Sequence, residues 1–422
     1  VRCGVIICED AWERGPALRA KEDGAELILI PNASPYRDDK QKDRLELFAD
    51  RYADTGLPMV YCNLVGGQDE LVFDGRSLLM DRAGVVAEPG PLCEEGLLLA
   101  EFEPGEGSLT WQDQCGSGPC PRLSSTDNPK ESRAWPAPTS TASAAELDKV
   151  IVTGLRDYVR KNGFTDVVFG LSGGIDSSLV LAVAVDALGP ERVHTVMMPS
   201  RHTSGLSIEL AQKQAVGLGV DHRVISIEPA FEALLTLLEP SFVGHEADVT
   251  EENLQARARG NLIMALSNKF GWLPIVTSNK SELAVGYCTI YGDMCGGFGP
   301  LLDCTKMRVY ELSRYRNTVS PAIPENVITR PPSAELRPDQ QDQDSLPPYD
   351  VLDQVLQLYV EQDWSVEQII AEGFDEQMVR RVARLVLINE YKRRQAPPGV
   401  RITHRAFGRD RRYPITSGWR DM

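Results

Sequence analysis

The sequence predicts an α/β protein whose larger part is a doubly wound parallel sheet, with a smaller α/β domain before it. Three observations lead to this prediction. Within residues 146–422, short apolar runs rich in β-branched residues alternate with helical stretches, an order typical of parallel sheets covered by helices. One of these runs, 166–188, joins a strand to a helix through two adjacent glycines. Residues 111–145 are rich in Pro, Ser, Thr and Gly, which indicates a linker after a first domain at 1–110.

The composition narrows the class of protein. The chain has 422 residues, 42% of them hydrophobic, and a formal net charge of −17. Such a charge repels a nucleic-acid backbone, so we expect no nucleic-acid partner. We also expect no membrane association and a cytoplasmic location, because the sequence shows neither a long apolar run nor a signal-peptide pattern. Its nine cysteines follow no disulfide spacing, and the pair Cys115 and Cys120 lacks a second pair that would complete a zinc site.

The first domain is predicted to contain three strands, one helix and a hairpin. The strands lie in VRCGVIICEDAW, which ends its apolar run at Cys8, in AELILIPNASPY and in LPMVYCNLVG. The helix, KDRLELFADRYADTG, should end at Gly56, and the hairpin should turn at Ala83 and Gly84. On its position alone, Cys8 would be interpreted as an inert thiol at the exit of a buried strand.

Four segments of this domain change that interpretation. GVIICEDAW, IPNASPY, VYCNLVGGQDELVFDGRS and DRAG together resemble the glutaminase domain of the carbon–nitrogen hydrolases, the nitrilase superfamily, with its α-β-β-α fold. The resemblance implies that Cys8 attacks the side-chain amide of glutamine to form a thioester and release ammonia, and that Ser34 and Lys40 bind glutamine. In that family a Glu and a Lys come from segments before the nucleophile strand. Seven residues precede Cys8 here, so we expect an N-terminally truncated domain that does not use glutamine.

The run DVVFGLSGGIDSSLVLAVAVDAL, at 166–188, predicts an anion-binding loop. A strand that turns through two glycines into a helix presents free backbone N–H groups at the positive end of the helix dipole, with no Cβ to keep a phosphate away. The loop lacks the lysine of a Walker A motif and the three glycines of a dinucleotide fingerprint. The motif SGGIDS resembles the PP-loop of ATP pyrophosphatases, which cleave ATP between the α- and β-phosphates. That resemblance implies a Rossmann-like fold of the adenine nucleotide alpha hydrolase type.

Further strands and helices follow in alternation. RVHTVMMPS and VDHRVISIEP predict strands, and a helix lies between them. ENLQARARGNLIMALSNKFG predicts a helix with Arg257 and Arg259 near its start, both able to donate to phosphate or carboxylate. WLPIVTSNKSELAVGY predicts a strand with Thr277 and Glu282 after it. Asp176 and Glu282 together would suit Mg²⁺ beside phosphate oxygens.

The last third of the chain contains two loops and a basic end. The glycine-rich segment 288–306 is predicted to be a mobile binding loop, and the proline-rich, acidic segment 331–353 to be a lid or an interface. A helical part then leads to a basic C-terminal stretch that could bind a phosphate or a partner subunit.

Several motifs of this second domain are similar to those of the glutamine-dependent NAD⁺ synthetases: SGGIDSS, ENLQARARG, TSNKSELAVGY, YGDMCGGFGPLLDCTK, RPPSAELRPDQQDQDSLPPY and FGRDRRYPIT. The resemblance implies that ATP adenylates the nicotinate carboxylate of deamido-NAD⁺, that ammonia displaces AMP, and that the protein is a homo-oligomer. It also implies a role for each of a set of residues. ATP would contact Gly170, Leu171, Ser172, Gly173, Gly174, Ile175, Asp176, Ser177, Ser178 and Thr277; Mg²⁺ would contact Asp176 and Glu282; deamido-NAD⁺ would contact Asn253, Glu282, Tyr287, Cys288, Thr289, Ile290 and Arg409; and Lys306 would neutralise charge on the transferring phosphate.

Three alternatives remain open on the sequence. The first is an NAD⁺ synthetase able to use ammonia directly, with glutamine use lost by truncation. The second is another PP-loop amidotransferase that adenylates a different carboxylate, and the third is a non-catalytic nucleotide-binding subunit. The thiols of Cys288, Cys295 and Cys304 receive no catalytic role from the sequence.

Overall fold

The computed structural model describes residues 1–85, 90–112 and 143–418. The described residues fall into two compact units, one within 1–66 and 71–150 and the other within 67–70 and 151–422. Most of the predicted linker, with Cys115 and Cys120, lies outside the described residues, so the predicted boundaries at 110 and 146 stay predictions. Within the described part of the chain, no helix is both long and apolar enough to cross a membrane.

The first unit is built on a five-stranded sheet with the order β1-β2-β3-β6-β7. β1 to β3 are parallel, whereas β6 and β7 are antiparallel to their neighbours. Two further strands form a hairpin, β8 with β9. The strands are β1 (Cys3–Val5), β2 (Leu27–Asn32), β3 (Met59–Asn63), β4 (Val65–Gln68), β5 (Leu71–Asp74), β6 (Leu78–Asp81), β7 (Gly84–Val85), β8 (Leu99–Glu103) and β9 (Ser108–Gln112), and the helices are α1 (Arg14–Glu22) and α2 (Lys40–Thr55).

Apolar side chains of β2, β3 and α2 form the core of this unit, among them Ile28, Ile30, Phe48 and Tyr61. The predicted helix end is confirmed, because α2 is followed by Gly56 in the left-handed conformation (φ 67°). The prediction of a buried first strand is wrong. β1 lies at the sheet edge and leaves Val5 61% exposed. An apolar run alone does not distinguish a central strand from an edge strand.

The second unit contains a parallel sheet with the order β12-β11-β10-β13. This sheet confirms the predicted α/β class. Its strands are β10 (Val167–Gly170), β11 (Val193–Met197), β12 (Asp221–Val224) and β13 (Leu273–Pro274). The helices from 144 onward are α3 (Ala144–Lys161), α4 (Ile175–Leu188), α5 (Gly205–Leu218), α6 (Glu228–Leu238), α7 (Val249–Phe270), α8 (Lys280–Val285), α9 (Lys306–Val319), α10 (Glu325–Thr329), α11 (Tyr349–Leu356), α12 (Val366–Ala371), α13 (Glu376–Ile388) and α14 (Glu390–Arg393).

The central strand β10 places the glycine-containing turn at one edge of the sheet. Val167, Val168 and Phe169 are fully buried, and the chain leaves the strand at Gly170 and enters α4 at Ile175. Because β10, β11 and β13 are parallel, the residues that follow them emerge at the same edge. The turn therefore faces the residues that follow the other two strands.

The glycine-rich segment 288–306, which the sequence predicts to be a mobile binding loop, is packed into the unit. Met294, Phe298, Leu301 and Cys304 are buried. Close packing requires its neighbour Gly260 to lack a side chain, because a Cβ there would lie 2.6 Å from the carbonyl oxygen of Tyr291. The composition of a segment does not distinguish glycines that permit close backbone packing from glycines that confer flexibility.

A buried ion pair in the first unit provides a stability test. Arg44 on α2 makes two hydrogen bonds to Asp74, at 2.8 and 2.9 Å, and both side chains are 1% exposed. Arg44→Met would leave the Asp74 charge buried without its partner, so we expect the free energy of unfolding to fall by about 3–5 kcal/mol. Urea denaturation measures this. Lys42→Met on the same helix removes only an exposed pair with Glu46 and should change stability by less than about 0.5 kcal/mol.

Candidate active site

The loop 171–174, here called the glycine loop, connects β10 to α4. Gly173 has φ +76°, and a Cβ on it would lie 2.4 Å from the carbonyl oxygen of Ser207. Gly174 is the N-cap of α4, and its N–H donates to the hydroxyl of Ser172 at 3.2 Å. The Ser172 hydroxyl also lies 3.1 Å from that of Ser177. The loop is thus braced at the N-terminus of a 14-residue helix, where backbone N–H groups and the helix dipole favour an anion.

Two carboxylates and one ammonium group meet beside this loop. The Nζ of Lys306, the first residue of α9, donates to Asp176 at 2.6 Å and to Glu282 at 2.9 Å. Lys306 is 2% exposed. Burial opposes its charge, but the two carboxylates outweigh burial and raise the pKa of Lys306 above its ordinary value. Burial raises the pKa of Glu282 to about 7. The structure thus brings together three residues that lie far apart in the sequence.

Two residues that the sequence did not indicate hold this cluster in place. Asn279 caps α8 by accepting from the N–H of Glu282 at 3.0 Å, and its side-chain amide donates to Asp176 at 2.8 Å. Asp353 on α11 accepts from the N–H of Met307 at 2.8 Å and from the hydroxyl of Ser281. Asp353 therefore ties the start of α8, which carries Glu282, to the start of α9, which carries Lys306.

A cavity of about 720 Å³ opens beside the glycine loop, and we call it the main cavity. Most of the predicted nucleotide and dinucleotide residues line it. They are Gly170, Leu171, Ser172, Gly174, Ile175, Asp176, Ser177, Asn253, Thr277, Glu282, Tyr287, Cys288, Thr289, Ile290 and Lys306. Gly173 and Ser178 are not among its lining residues. Ser178 is buried on α4, whereas the carbonyl of Gly173 accepts from Arg330 at 2.8 Å.

The segment 330–342 forms another wall of the main cavity. Arg330 donates to Gly173 and, at 2.9 Å, to Ser207. Glu335 accepts from the hydroxyls of Ser204 and Ser207 at 2.8 and 2.7 Å. These contacts join the segment to the glycine loop and to the start of α5. The signal in the sequence was the proline-rich motif, which predicted a lid or an interface but no individual contact.

Asp342 adds a third carboxylate to the main cavity. It accepts from the phenols of Tyr287 at 3.2 Å and Tyr349 at 2.9 Å. Burial raises the pKa of Asp342, and the nearby Lys306 charge opposes that shift. Even so, within the described residues no cluster of three or more His, Cys, Asp or Glu side chains has the arrangement of a metal site.

The far side of the main cavity is formed by residues around 288. Asn253 accepts from the hydroxyl of Thr289 at 2.8 Å. Lys392, which the sequence did not single out, donates to the carbonyls of Gly286 and Cys288 at 2.7 and 2.8 Å. Burial raises the pKa of Cys288 to about 12, so this side chain is a neutral thiol at physiological pH.

Arg259 and Arg257, the two arginines of α7, also line the main cavity. Arg259 donates to the carbonyl of Met198, at the exit of β11, at 3.0 Å. Its guanidinium is buried, which lowers its pKa to about 10. Both side chains therefore lie on the cavity wall, as their position on α7 predicts.

Arg409 does not line the main cavity. It lines a second cavity, of about 450 Å³, and its guanidinium is 3.8 Å from Glu70. The predicted contact with the dinucleotide has no geometric support at the main cavity. The motif FGRDRRYPIT contains three arginines, and a resemblance of sequence does not decide which of them points to which cavity.

The first unit holds the predicted thiol. Cys8 begins a short 3₁₀ turn and has φ +50°, a conformation that is uncommon for residues other than glycine and is found at functional sites. The turn is fixed by Asp10, which accepts from the N–H of Ile7 at 2.9 Å. Lys40, the first residue of α2, lies 4.0 Å from the ring centre of Trp12. Burial, together with the neighbouring arginines, lowers the pKa of Lys40 to about 8.

The second predicted glutamine residue, Ser34, is buried in a polar network. Its N–H donates to Asn63 at 2.8 Å, and its hydroxyl accepts from Arg44 at 3.2 Å. Tyr61 lies in the same region, and burial raises its pKa to about 12. The negative charge that Cys8 would carry as a thiolate adds to this upward shift. Ser34 and Cys8 therefore both lie near Tyr61.

Together the two units define a class of protein. One has the glycine loop, acidic pair and buried lysine expected of an ATP-dependent ligase, and the other has a half-buried thiol at a turn with positive φ, as expected of an amide hydrolase. Family comparisons agree: the model described as NAD synthase matches residues 147–396, and the model described as Carbon-nitrogen hydrolase matches residues 1–109.

Curated relatives identify the particular family. The chain is 51% identical over 421 residues to the glutamine-dependent NAD(+) synthetase of Xanthomonas campestris pv. campestris, covering 99% of this chain and 72% of that protein. It is 44% identical over 445 residues to that of Thermotoga maritima, covering 100% and 75%. This chain belongs to the glutamine-dependent NAD⁺ synthetase family. It is an ATP-dependent ligase that amidates deamido-NAD⁺ with glutamine as the nitrogen source. This excludes the second and third alternatives left by the sequence, and it contradicts the expectation that the chain does not use glutamine.

Solved structures share the fold. The glutamine-dependent NAD⁺ synthetase of Acinetobacter baumannii, solved with ADP, is 44% identical with a TM-score of 0.69, covering 100% of this chain and 73% of that one. The enzyme of Cytophaga hutchinsonii has a TM-score of 0.74 at 22% identity, covering 99% and 71%. The prediction of a nitrilase-like domain followed by a parallel-sheet synthetase domain is thereby confirmed.

The glycine loop provides a test of this site. Gly173→Ala places a Cβ against the Ser207 carbonyl and forces an L-residue to adopt φ +76°. We expect the affinity for α,β-methylene-ATP to fall at least about tenfold, which corresponds to a loss of 1.4 kcal/mol or more. Isothermal titration calorimetry measures the affinity. Gly205→Ala is the control, because its Cβ meets nothing within 4 Å; an unchanged affinity of Gly173→Ala would contradict the role of the loop.

Proposed function

We propose that the main cavity holds ATP and deamido-NAD⁺ side by side, with the glycine loop around the ATP phosphates. The meeting of Lys306, Asp176 and Glu282 beside that loop supports this proposal. The nicotinate carboxylate attacks the α-phosphate to give an adenylated intermediate and pyrophosphate. Ammonia then displaces AMP to give the amide. The ammonium of Lys306 is a compact charge suited to stabilise the phosphate oxygens as negative charge develops on them.

We assign Mg²⁺ to Asp176 and Glu282. The two residues fit the metal because one carboxylate oxygen from each already points to a single cation, the Lys306 ammonium. Hard carboxylate oxygens are suitable ligands, and Mg²⁺ commonly binds one or two carboxylates together with substrate phosphates. When bound, the metal would supply charge neutralisation for the departing pyrophosphate.

We place deamido-NAD⁺ against the far wall of the main cavity, where Asn253 and residues 287–290 lie. The hydrogen bond between Asn253 and Thr289 fixes the side chain that faces the ligand. Thr277, at the exit of β13, is assigned to ATP. Lys392 joins this set as a cation next to the dinucleotide, whereas Arg409 is left out, because it lines the second cavity.

We assign glutamine hydrolysis to Cys8, with Ser34 and Lys40 as binding residues. The strained turn presents the thiol beside a network that can position an amide. Lys40, as a cation, suits the α-carboxylate of glutamine. The thiolate attacks the amide carbon to form a thioester, and ammonia leaves. We further propose a homo-oligomer located in the cytoplasm, where ATP is abundant.

Removing the thiol separates the two activities. In Cys8→Ala we expect NAD⁺ formation from ATP, deamido-NAD⁺ and ammonium to be unchanged, and glutamine-dependent formation to be lost, because the thioester cannot form. AMP and NAD⁺ are quantified by chromatography with each nitrogen donor. Cys62→Ala, which removes an exposed thiol of the same unit, should match the unmodified protein with both donors. Glutamine-dependent product from Cys8→Ala would contradict the assignment.

The lowered pKa of Lys40 predicts a pH dependence. Below pH 8 the amine is protonated and attracts a carboxylate; above pH 8 it is neutral. In the Cys8→Ala background, which prevents turnover, we expect glutamine to bind about tenfold more weakly at pH 9 than at pH 7, because about one amine in eleven stays charged. Calorimetry measures the affinity. Lys40→Arg keeps its charge and should show a smaller change, so identical pH profiles would contradict this role.

A further inference from the structure

We propose that Lys306 competes with Mg²⁺ for Asp176 and Glu282, so that the metal enters the site only together with ATP. The inference rests on the proposed function of the main cavity and adds an order to its ligands. Lys306 acts as an internal counter-ion that the nucleotide displaces.

The ammonium lies where the metal would lie. Its Nζ is 2.6 Å from Asp176 Oδ2 and 2.9 Å from Glu282 Oε1, and it lies 5.1 Å from the ring centre of Tyr349. The side chain is 2% exposed. Two cations that share the same pair of oxygens repel each other strongly at such distances. Lys306 and Mg²⁺ therefore occupy this position one at a time.

Asp176 cannot accommodate both cations by turning its other oxygen to the metal. Its Oδ1 accepts from the side-chain amide of Asn279 at 2.8 Å. Asn279 is fully buried, and its own oxygen accepts from the N–H of Glu282 as the cap of α8. Asn279 thus holds Oδ1 of Asp176 through its amide nitrogen while its oxygen caps the helix that carries Glu282. The ligand that can leave Asp176 is the flexible side chain of Lys306.

The Lys306 ammonium needs another anionic partner before it can leave Asp176 and Glu282. The Lys306 backbone is held because its N–H donates to Ser281 Oγ at 2.9 Å, so only the side chain moves. The nearby carboxylate of Asp342 already accepts one phenol on each oxygen, from Tyr287 and Tyr349. A buried charge without a partner is strongly unfavourable. Phosphate oxygens held by the glycine loop would provide the missing partner.

The exchange makes metal and nucleotide affinity interdependent. ATP would draw the ammonium onto its phosphates and free the two carboxylates of Asp176 and Glu282, which could then hold the metal. Lys306 lowers the affinity for metal in the absence of ATP. Bound ATP therefore raises the metal affinity, and by thermodynamic linkage bound metal raises the ATP affinity by the same factor. The site thereby rejects free Mg²⁺ and accepts the metal with its nucleotide.

The direct test measures metal binding without nucleotide. Mn²⁺ serves as the probe, and electron paramagnetic resonance counts free Mn²⁺ in titrations of the whole chain. We expect Lys306→Met and Lys306→Gln to bind Mn²⁺ at least about tenfold more tightly than the unmodified protein, because a competing charge is removed. Lys306→Gln keeps a hydrogen-bond donor for the two carboxylates. The test can therefore still be made if Lys306→Met does not fold. Lys392→Met is the matched control, because this lysine lines the same cavity but bonds only backbone carbonyls in the described contacts.

Two further measurements show whether the gained Mn²⁺ affinity depends on Glu282 and whether the nucleotide site exists independently of the exchange. Adding Glu282→Gln to Lys306→Gln should abolish the gained Mn²⁺ affinity. Equal Mn²⁺ affinities of the unmodified protein and both Lys306 variants, or an equal gain in Lys392→Met, would overturn the exchange. Binding of α,β-methylene-ATP to the unmodified protein is measured separately by calorimetry. Its absence would refute the nucleotide site itself, whereas its presence with unchanged Mn²⁺ binding would refute the exchange alone.

Discussion

The ammonium of Lys306 links the starts of three helices: α9, which carries it, and α4 and α8, which carry Asp176 and Glu282. Each of these helices begins at the edge of the sheet where β10 and β13 end. The parallel sheet brings the segments together, but buried charges of one sign would drive them apart. A positive charge between the carboxylates removes that repulsion, and the geometry of the glycine loop, the acidic pair and the main cavity depends on it.

Much of this arrangement could be predicted from the sequence. The apolar runs around 166–188 predicted the central strand, the loop and α4, because period and glycine placement are local properties. Parallel order also predicted that Thr277 and Glu282 would lie near the loop. The residue roles carried over from the family resemblance agree with the lining of the main cavity at most positions, although they remain proposals.

What could not be predicted depends on contacts between distant residues. Asp353 and Asp342 lie in segments whose composition indicates only a loop or a helix start, and their roles come from partners on other helices. Arg409 shows a different limit of sequence analysis. A basic motif predicts positive charge, but it does not predict which cavity each arginine side chain lines. The edge position of β1 and the buried glycine-rich segment likewise depend on neighbours that no local pattern reveals.

Gly173 is constrained from two sides. Its missing side chain lies against the backbone of α5, and its carbonyl is held by Arg330 from the segment that walls the cavity. Gly173 is therefore held by two elements that lie far from it in the sequence. A substitution in α5 or at Arg330 can accordingly displace the glycine loop without changing any residue of the loop itself.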